Sequence, residues 1–288
     1  MPVLFCFGLG FTAQALATRL AAEGWGIIGT CRSPEKAADL AGRGWDLHVF
    51  DGSGPLADAS VLAPATHILI SVPPDAEDDA VLRLHGADLA SLPHLKWLGY
   101  LSTTGVYGDS KGGWVDETTP LRPTQARSIR RAAAEAAWLK LAEQGVPVQA
   151  FRLAGIYGPG RNQLEGVKRG TAHRIVKPGQ VFCRIHVADI ASVLQASMAK
   201  PDPGAVYNVA DDEPAPPQEV VAFAAGLLGL PLPPEVPFDA AQLTPMAASF
   251  YGDNRRVRND RIKSELGVML RYPTYREGLK ALLATTTG

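Results

Sequence analysis

The chain opens with a strand pattern that runs directly into a glycine-rich turn. Residues 3–7 are apolar, and Gly8-Leu9-Gly10-Phe11-Thr12-Ala13 follows before a helical pattern. Two glycines separated by one residue let the backbone turn tightly, and small Ala13 lets the helix pack close to the strand. The unpaired N–H donors and the positive end of the helix macrodipole favour an anion there. We therefore predict that a dinucleotide diphosphate binds at this turn, contacted by Gly8, Gly10, Phe11 and Thr12.

The residues after the turn complete a strand–helix–strand unit. Ala13, Leu16, Ala17 and Leu20 recur at helical spacing, and Gly24 stands where a helix C-cap belongs. Residues 26–30 then have the apolar pattern of a second buried strand. The two glycines alone would fit a tight turn in any α/β protein, but the order of strand, turn, helix and strand favours nucleotide binding.

The end of the second strand indicates which dinucleotide binds. Proteins of this fold that use NAD usually carry an acid there, whereas an arginine can pair with the 2′-phosphate of NADP. The sequence at this point is Thr30-Cys31-Arg32-Ser33, which has no carboxylate. We predict that Arg32 and Ser33 contact the cofactor and that it is NADP rather than NAD. Alternatively, Arg32 is a solvated loop residue and Ser33 only caps the next helix.

Composition limits the class of protein and of partner. The chain has 288 residues, of which 46% are hydrophobic, enough for a sizeable core. Its formal net charge of −1 gives no electrostatic case for nucleic acid, and no segment is apolar enough to span a membrane. Three widely spaced cysteines favour neither a disulfide framework nor a metal site. Because the first strand starts at residue 3, we expect no secretion signal and a cytoplasmic location.

Strand patterns alternate with helical ones along the first half of the chain. Further strands are predicted at residues 45–50, 66–71, 96–102 and 146–153, with helices at 34–41, 76–92 and 123–143. This order predicts an α/β fold with a doubly wound parallel sheet. After Gly160, proline and glycine become denser. We predict a dinucleotide-binding domain at residues 1–160 and a small irregular substrate part at 161–288, with segments near 181–210 returning to the sheet.

Four further segments carry a resemblance to a known family. They are YLSTTGVYG at 100–108, FRLAGIYGPG at 151–160, RIHVADI at 184–190 and YNVAD at 207–211. With the glycine turn they resemble the extended short-chain dehydrogenase/reductase superfamily, also called the NAD(P)-dependent epimerase/dehydratase family. The resemblance implies a Rossmann domain, a smaller substrate domain and a site between them. Relatives act mostly on nucleotide sugars and related alcohols or ketones.

The resemblance also implies a set of catalytic positions, and the chain departs from it at two of them. In such enzymes a Ser or Thr after the fifth strand holds the substrate hydroxyl, and Thr103 lies at that position, four residues before Tyr107. A Tyr and a Lys should follow, but alignment on residues 132–135 puts Arg127 and Arg131 there. Arginine cannot transfer a proton near neutral pH. Arg131 can still donate to the nicotinamide ribose; alternatively, both arginines belong to a solvated helix face.

Another group must then move the proton. Tyr157 follows the sixth predicted strand, near where the resemblance puts the nicotinamide, and we predict that it acts with Thr103. Tyr157 and Tyr107 are also landmarks of the family with structural roles, and that alternative stays open. His186 has a suitable pKa but resembles a residue that fixes a loop and starts a helix.

Further residues are predicted to contact ligands. Asp51 is similar to an acid that contacts the adenine amino group, although Asp-Gly is also a common turn. Ser71 and Val72 end the fourth predicted strand and should border the cofactor ribose. Relatives hold a substrate diphosphate with a C-terminal arginine, for which Arg256 or Arg258 is the candidate; a solvated basic stretch is the alternative.

Together these observations predict an NADP(H)-binding protein of the epimerase/dehydratase type. The expected activity is that of an oxidoreductase or epimerase on a small polar or nucleotide-linked molecule. The alternative is an inactive dinucleotide-binding sensor or regulatory protein that lacks the Tyr/Lys pair. Relatives often dimerise through helices that flank the fourth and fifth strands, and the alanine-rich helix at 126–142 offers such a face. Packing on the sheet explains this helix equally well, because its stripe of Ile129, Ala132, Ala133, Ala136 and Leu139 is predicted to face the sheet.

Overall fold

The computed structural model describes residues 1–286, in which strands and helices alternate. The strands are β1 Val3–Phe7, β2 Gly26–Cys31, β3 Asp46–Val49, β4 His67–Ile70, β5 Trp97–Thr103, β6 Trp114–Val115, β7 Val148–Leu153, β8 Gly155–Tyr157, β9 Arg174–Val176, β10 Arg184–His186, β11 Val206–Val209, β12 Glu235–Pro237 and β13 Arg256–Val257. The helices are α1 Phe11–Ala22, α2 Pro34–Ala38, α3 Ala80–Ala90, α4 Ala126–Ala142, α5 Gln163–Lys168, α6 Val187–Ala199, α7 Pro217–Leu228, α8 Pro245–Phe250, α9 Asp260–Ser264 and α10 Tyr275–Thr286.

Seven parallel strands form the central sheet, in the order β11-β7-β5-β4-β1-β2-β3. The order reverses between β1 and β4, and this is where ligands of open α/β sheets bind, outside the carboxyl ends of the strands. The predicted doubly wound Rossmann sheet is therefore confirmed. Three two-stranded parallel pairs, β8 with β10, β9 with β12 and β6 with β13, lie outside it.

Helices cover both faces of the central sheet, and β1 shows how the sequence divides them. Leu4 and Cys6 pack into one core cluster with residues of α1 and α6, whereas Phe5 and Phe7 pack into a second cluster with residues of α3 and α4. Successive side chains of a strand point to opposite faces, so a strand covered on both faces is apolar throughout. This is why residues 3–7 show no alternation with polar residues.

The C-terminal part has its own small core. Tyr157 packs there with side chains of α5, α7 and α10, among them Leu164, Val220 and Leu279. Between residues 1 and 286, no helix combines the length and the apolar character needed to cross a bilayer.

The predicted orientation of the alanine-rich helix was wrong. The buried residues of α4 are Ser128, Ala134, Glu135 and Trp138, whereas Ile129 is 50% exposed and Ala133 and Ala136 are exposed. Trp138 stacks on Tyr100 of β5, and Glu135 meets a buried arginine, so a large ring and an ion pair set the rotation of the helix. The homodimer stays a prediction.

Candidate functional site

The glycine turn after β1 has a backbone that only glycine adopts easily. Gly8 has a φ of +86°, and a Cβ atom there would lie 3.0 Å from Val72 Cγ2. The Gly8 amide donates to Thr30 Oγ1 at 2.8 Å, and the Leu9 amide donates to the Thr30 carbonyl at 2.8 Å. The turn is therefore fixed to the end of β2.

The N-terminus of α1 has the space and the free donors that a diphosphate needs. Gly10 begins the helix without a side-chain cap, and the first turn has no acidic residue. The nearest atom to a Cβ built on Gly10 is Ser71 Oγ, 4.0 Å away, so the turn is open on that side. Thr12 is buried, and the Arg161 Cζ atom lies 5.7 Å from the centroid of the Phe11 ring. The residues present fit a dinucleotide diphosphate bound through backbone amides.

The arginine that follows β2 has no protein partner among the described residues. Arg32 is exposed and makes no hydrogen bond or ion pair within residues 1–286. Ser33 caps α2, because its Oγ accepts from the Lys36 amide at 3.5 Å. The capping alternative for Ser33 is thus observed, while the guanidinium of Arg32 has all its donors available for a phosphate.

The ends of β3 and β4 lie on opposite sides of the glycine turn. Asp51 Oδ1 accepts from the Ser53 amide at 2.9 Å and from Ser53 Oγ at 2.7 Å, and these bonds lower the pKa of Asp51. Asp51 Oδ1 thus stabilises the Asp-Gly turn, and a contact of Asp51 with the cofactor stays a prediction. The Ser71 amide donates to the Phe7 carbonyl at 2.9 Å, which puts Ser71 and Val72 against the glycine turn as expected for residues beside the cofactor.

Thr103 is the last residue of β5 and caps a short 3₁₀ turn at Thr104–Tyr107. Its Oγ1 accepts from the Gly105 amide at 3.1 Å, which leaves the hydroxyl proton free to donate. A Cβ on Gly105 would lie 2.8 Å from Ser128 Oγ and 3.3 Å from Thr103 Oγ1. Because Gly105 has no side chain, the first turn of α4 can approach the end of β5 closely.

A buried polar network that could not be identified from the sequence begins at Ser102, the residue before Thr103. Ser102 Oγ donates to Glu135 Oε2 at 2.5 Å, and Arg152 Nη2 donates to Glu135 Oε1 at 2.6 Å. Arg152 Nη1 donates to the Tyr107 hydroxyl at 2.8 Å, which donates to Asn208 Oδ1 at 2.7 Å. Tyr107 thus has a structural role. The available signal was Arg152 itself, a charged residue in a strand that is buried throughout.

The two arginines at the Tyr and Lys positions have different surroundings. Arg131 Nη1 donates to the Leu101 carbonyl at 2.5 Å, so this arginine is tied to β5 and offers only its other donors to a ribose. Arg127 Cζ lies 4.2 Å from the centroid of the Phe250 ring, at the end of α8. Both side chains are half-buried, so neither belongs to a fully solvated face.

Tyr157 lies in the C-terminal core. Its hydroxyl donates to the Thr274 carbonyl at 3.4 Å, and a Cβ on Gly278 would lie 2.1 Å from that hydroxyl oxygen. Burial raises the pKa of Tyr157, so its proton is held tightly. His186 Nδ1 accepts from the Ala188 amide at 3.1 Å and so starts α6, the structural role that the sequence left open. The Tyr157 hydroxyl therefore packs against the start of α10, and its catalytic role with Thr103 stays a prediction.

The two C-terminal arginines already have protein partners. Arg256 Nη1 donates to the Gly112 carbonyl, and Arg258 Nε lies 2.6 Å from Asp260 Oδ2 on the surface. Arg258 also lines a cavity of about 270 Å³ with Trp114. Binding of a substrate anion by either residue stays a prediction. Within residues 1–286, no three His, Cys, Asp or Glu side chains cluster as metal ligands would.

Comparisons with known proteins agree with this architecture. Residues 76–210 match the NAD dependent epimerase/dehydratase family. The Escherichia coli (strain K12) protein YeeZ is 29% identical over 280 residues, covering 92% of this chain and 94% of YeeZ. A functionally unknown conserved protein from Silicibacter pomeroyi DSS has a solved structure with a TM-score of 0.92 and 55% identity, covering 99% of both chains.

A more distant structure has a bound dinucleotide. The dTDP-glucose 4,6-dehydratase of Bacillus anthracis str. Ames, solved in complex with NAD, superposes with a TM-score of 0.79 at 19% identity, over 100% of this chain and 97% of that one. At this identity the likeness shows the shared fold. Residues 76–210 of this chain are thus similar to the NAD dependent epimerase/dehydratase family, and the chain has the parallel-sheet Rossmann fold that the dehydratase also has.

Proposed function

We propose that this protein binds NADP(H) at the glycine turn and acts as an oxidoreductase or epimerase on a small polar or nucleotide-linked substrate. The observation that carries the proposal is the uncapped N-terminus of α1, with open space at Gly10 and the free guanidinium of Arg32 at the end of the neighbouring strand. Backbone amides then hold the diphosphate, and Arg32 holds the 2′-phosphate.

The preference for NADP over NAD is tested by replacing Arg32. A planar guanidinium pairs with a phosphate through charge-assisted hydrogen bonds, so Arg32→Ala should weaken NADPH binding about 10- to 100-fold. NADH lacks this phosphate, and its affinity should change less than about twofold. Fluorescence titration of the wild type, Arg32→Ala and the exposed control Arg169→Ala measures both ligands. Equal affinities of the wild type for NADPH and NADH would contradict the assignment of Arg32.

The proposed reaction places the reacting oxygen of the substrate at Thr103. A bound nicotinamide would supply or accept the hydride, while the Thr103 hydroxyl donates a hydrogen bond to the oxygen. Thr103→Ala should abolish turnover and leave NADPH affinity within about twofold, because Thr103 touches the substrate rather than the diphosphate. Thr103→Ser should restore turnover.

Tyr157 remains the second residue predicted for catalysis, and its buried hydroxyl argues for a packing role. Tyr157→Phe distinguishes the two roles, because it removes only the oxygen and the bond to Thr274. Lost turnover with an unchanged melting temperature supports proton transfer by Tyr157. Unchanged turnover removes it from the proposed site.

A dinucleotide-binding sensor without turnover is the second candidate. Arg127 and Arg131 stand where the family has a proton-transferring Tyr and its Lys, and this favours the sensor. A sensor exchanges no hydride with any alcohol or carbonyl compound, and NADP(H) changes its assembly instead. Absorbance at 340 nm with such a panel, together with light scattering of the predicted homodimer, separates the two candidates.

A further inference from the structure

Measured along the axis of α4, Arg127 lies at the same height as Thr103, at the carboxyl end of β5 where the site is expected. Helix α4 connects two parallel strands, β5 and β7, so it runs antiparallel to them. Arg131 reaches the carbonyl of Leu101, two residues before Thr103. Arg127 is four residues earlier on the same helix face, about 6 Å farther along the axis, and two strand residues span about 6.6 Å. The position of Ser128 Oγ beside Gly105 agrees with this placement.

The guanidinium of Arg127 is oriented by an aromatic ring and has free donors. Its Cζ lies 4.2 Å from the centroid of the Phe250 ring, and Arg127 makes no hydrogen bond or ion pair with any residue in 1–286. Contact with a ring face leaves the N–H groups at the edge of the guanidinium plane available. Two of these N–H groups in parallel match the two oxygens of a carboxylate or of a phosphate.

Arg127 forms no ion pair with a carboxylate within residues 1–286. The first turn of α4 has no acidic residue, and the Nε atom of Arg130 is buried without a partner in the described part of the chain. The carboxylates nearby are engaged elsewhere. Asp253 accepts from Thr124 Oγ1 at 2.7 Å and pairs with Arg255 at 3.3 Å. A positive potential therefore remains at this end of α4.

We infer that Arg127 binds an oxyanion of the substrate, a carboxylate or a phosphate, whose molecule presents its reacting oxygen to Thr103. The inference rests on the proposed function, because it names the chemical class of that same substrate. It also gives Arg127 a role that the family's tyrosine at this position does not have. A substrate-binding cation has replaced the proton carrier, and Phe250 positions this cation.

Binding of simple anions to the NADP⁺-saturated full-length protein tests the inference without requiring turnover. Titration calorimetry uses benzoate and phenyl phosphate, which distinguish a carboxylate from a phosphate, and neutral benzamide as the matched uncharged probe. The wild type should bind at least one anion and bind benzamide at least about tenfold more weakly. Arg127→Gln should weaken the binding of that anion about 10- to 100-fold. Arg127→Lys keeps the charge but loses the planar guanidinium, so its affinity for the anion should lie between those of the wild type and Arg127→Gln.

The control variant is Lys140→Gln, which removes one exposed cation near the other end of α4 and should leave anion affinity unchanged. Unfolding temperatures and NADPH titrations verify that each variant is folded. The inference is overturned if the NADP⁺-saturated wild type binds neither anion, or if Arg127→Gln binds them as tightly as the wild type. Failure of the proposed function is a different result, namely no saturable binding of NADPH to the wild type.

Discussion

Replacing Glu135 by alanine should destabilise the fold by about 3–5 kcal/mol, because the substitution leaves a buried guanidinium without its counter-charge. Glu135 is 1% exposed and Arg152 is 5% exposed. The carboxylate accepts from Arg152 Nη2 at 2.6 Å, from Arg152 Nε at 3.0 Å and from Ser102 Oγ at 2.5 Å. Of the hydrogen bonds of Arg152, the substitution leaves the one to the Tyr107 hydroxyl.

Urea unfolding followed by circular dichroism measures this loss directly. At this chain length 1 kcal/mol corresponds to about 2 °C, so the melting temperature should fall by about 6–10 °C. The matched control is Glu265→Ala, which breaks an exposed pair with Arg261 at 2.7 Å and should cost less than about 1 kcal/mol. Glu135→Leu combined with Arg152→Met should recover part of the loss, because no buried charge then remains unpaired. If Glu135→Ala costs no more than Glu265→Ala, the reasoning about the buried pair is refuted.

Two further predictions concern the turn and the pH dependence of stability. Gly8→Ala should lower the free energy of unfolding by about 1–2 kcal/mol, since φ is +86° and the new Cβ would lie 3.0 Å from Val72 Cγ2. Titration of this variant should show an NADPH affinity at least about tenfold lower than that of the wild type. An unchanged affinity would contradict binding at the turn. Burial lowers the pKa of His67 and of His186 to about 4, so below pH 6.5 the unfolded chain takes up protons that the folded chain does not. The free energy of unfolding should therefore fall as the pH drops from 6.5 to 4, by about 3 kcal/mol for each histidine. Urea unfolding across this pH range should show a smaller fall for His67→Gln than for the wild type.

Local patterns predicted the nucleotide-binding half well. The first strand, the glycine turn, α1 and β2 follow one another within about thirty residues, and the periodicity of each is sufficient to predict it. Their packing partners β4 and α6 come from later in the chain. The predicted strand at 146–153 became β7, two residues shorter at its start. The parallel, doubly wound sheet also followed, because helices alternate with strands along the chain.

The rotation of α4 and the partners of its charged residues could not be predicted in this way. Alanines at helical spacing are typical of a buried helix face, yet the face of α4 that packs against the sheet carries Trp138 and Glu135. Glu135 on α4 is buried because Arg152, seventeen residues later on strand β7, neutralises it. A contact between distant residues leaves no periodic signal in either segment.

The amino-acid sequence by itself determined the succession of strands and helices, the glycine turn and the presence of arginine at positions 127 and 131, because residue type and short-range spacing decide these properties. The tertiary structure decided which polar groups are already satisfied. Arg131 is held by a strand carbonyl and Tyr157 is enclosed by α10, whereas Arg32 and Arg127 keep free donors. The reason is physical: a side chain's availability to a ligand depends on what the fold packs against it, and those neighbours come from remote parts of the chain.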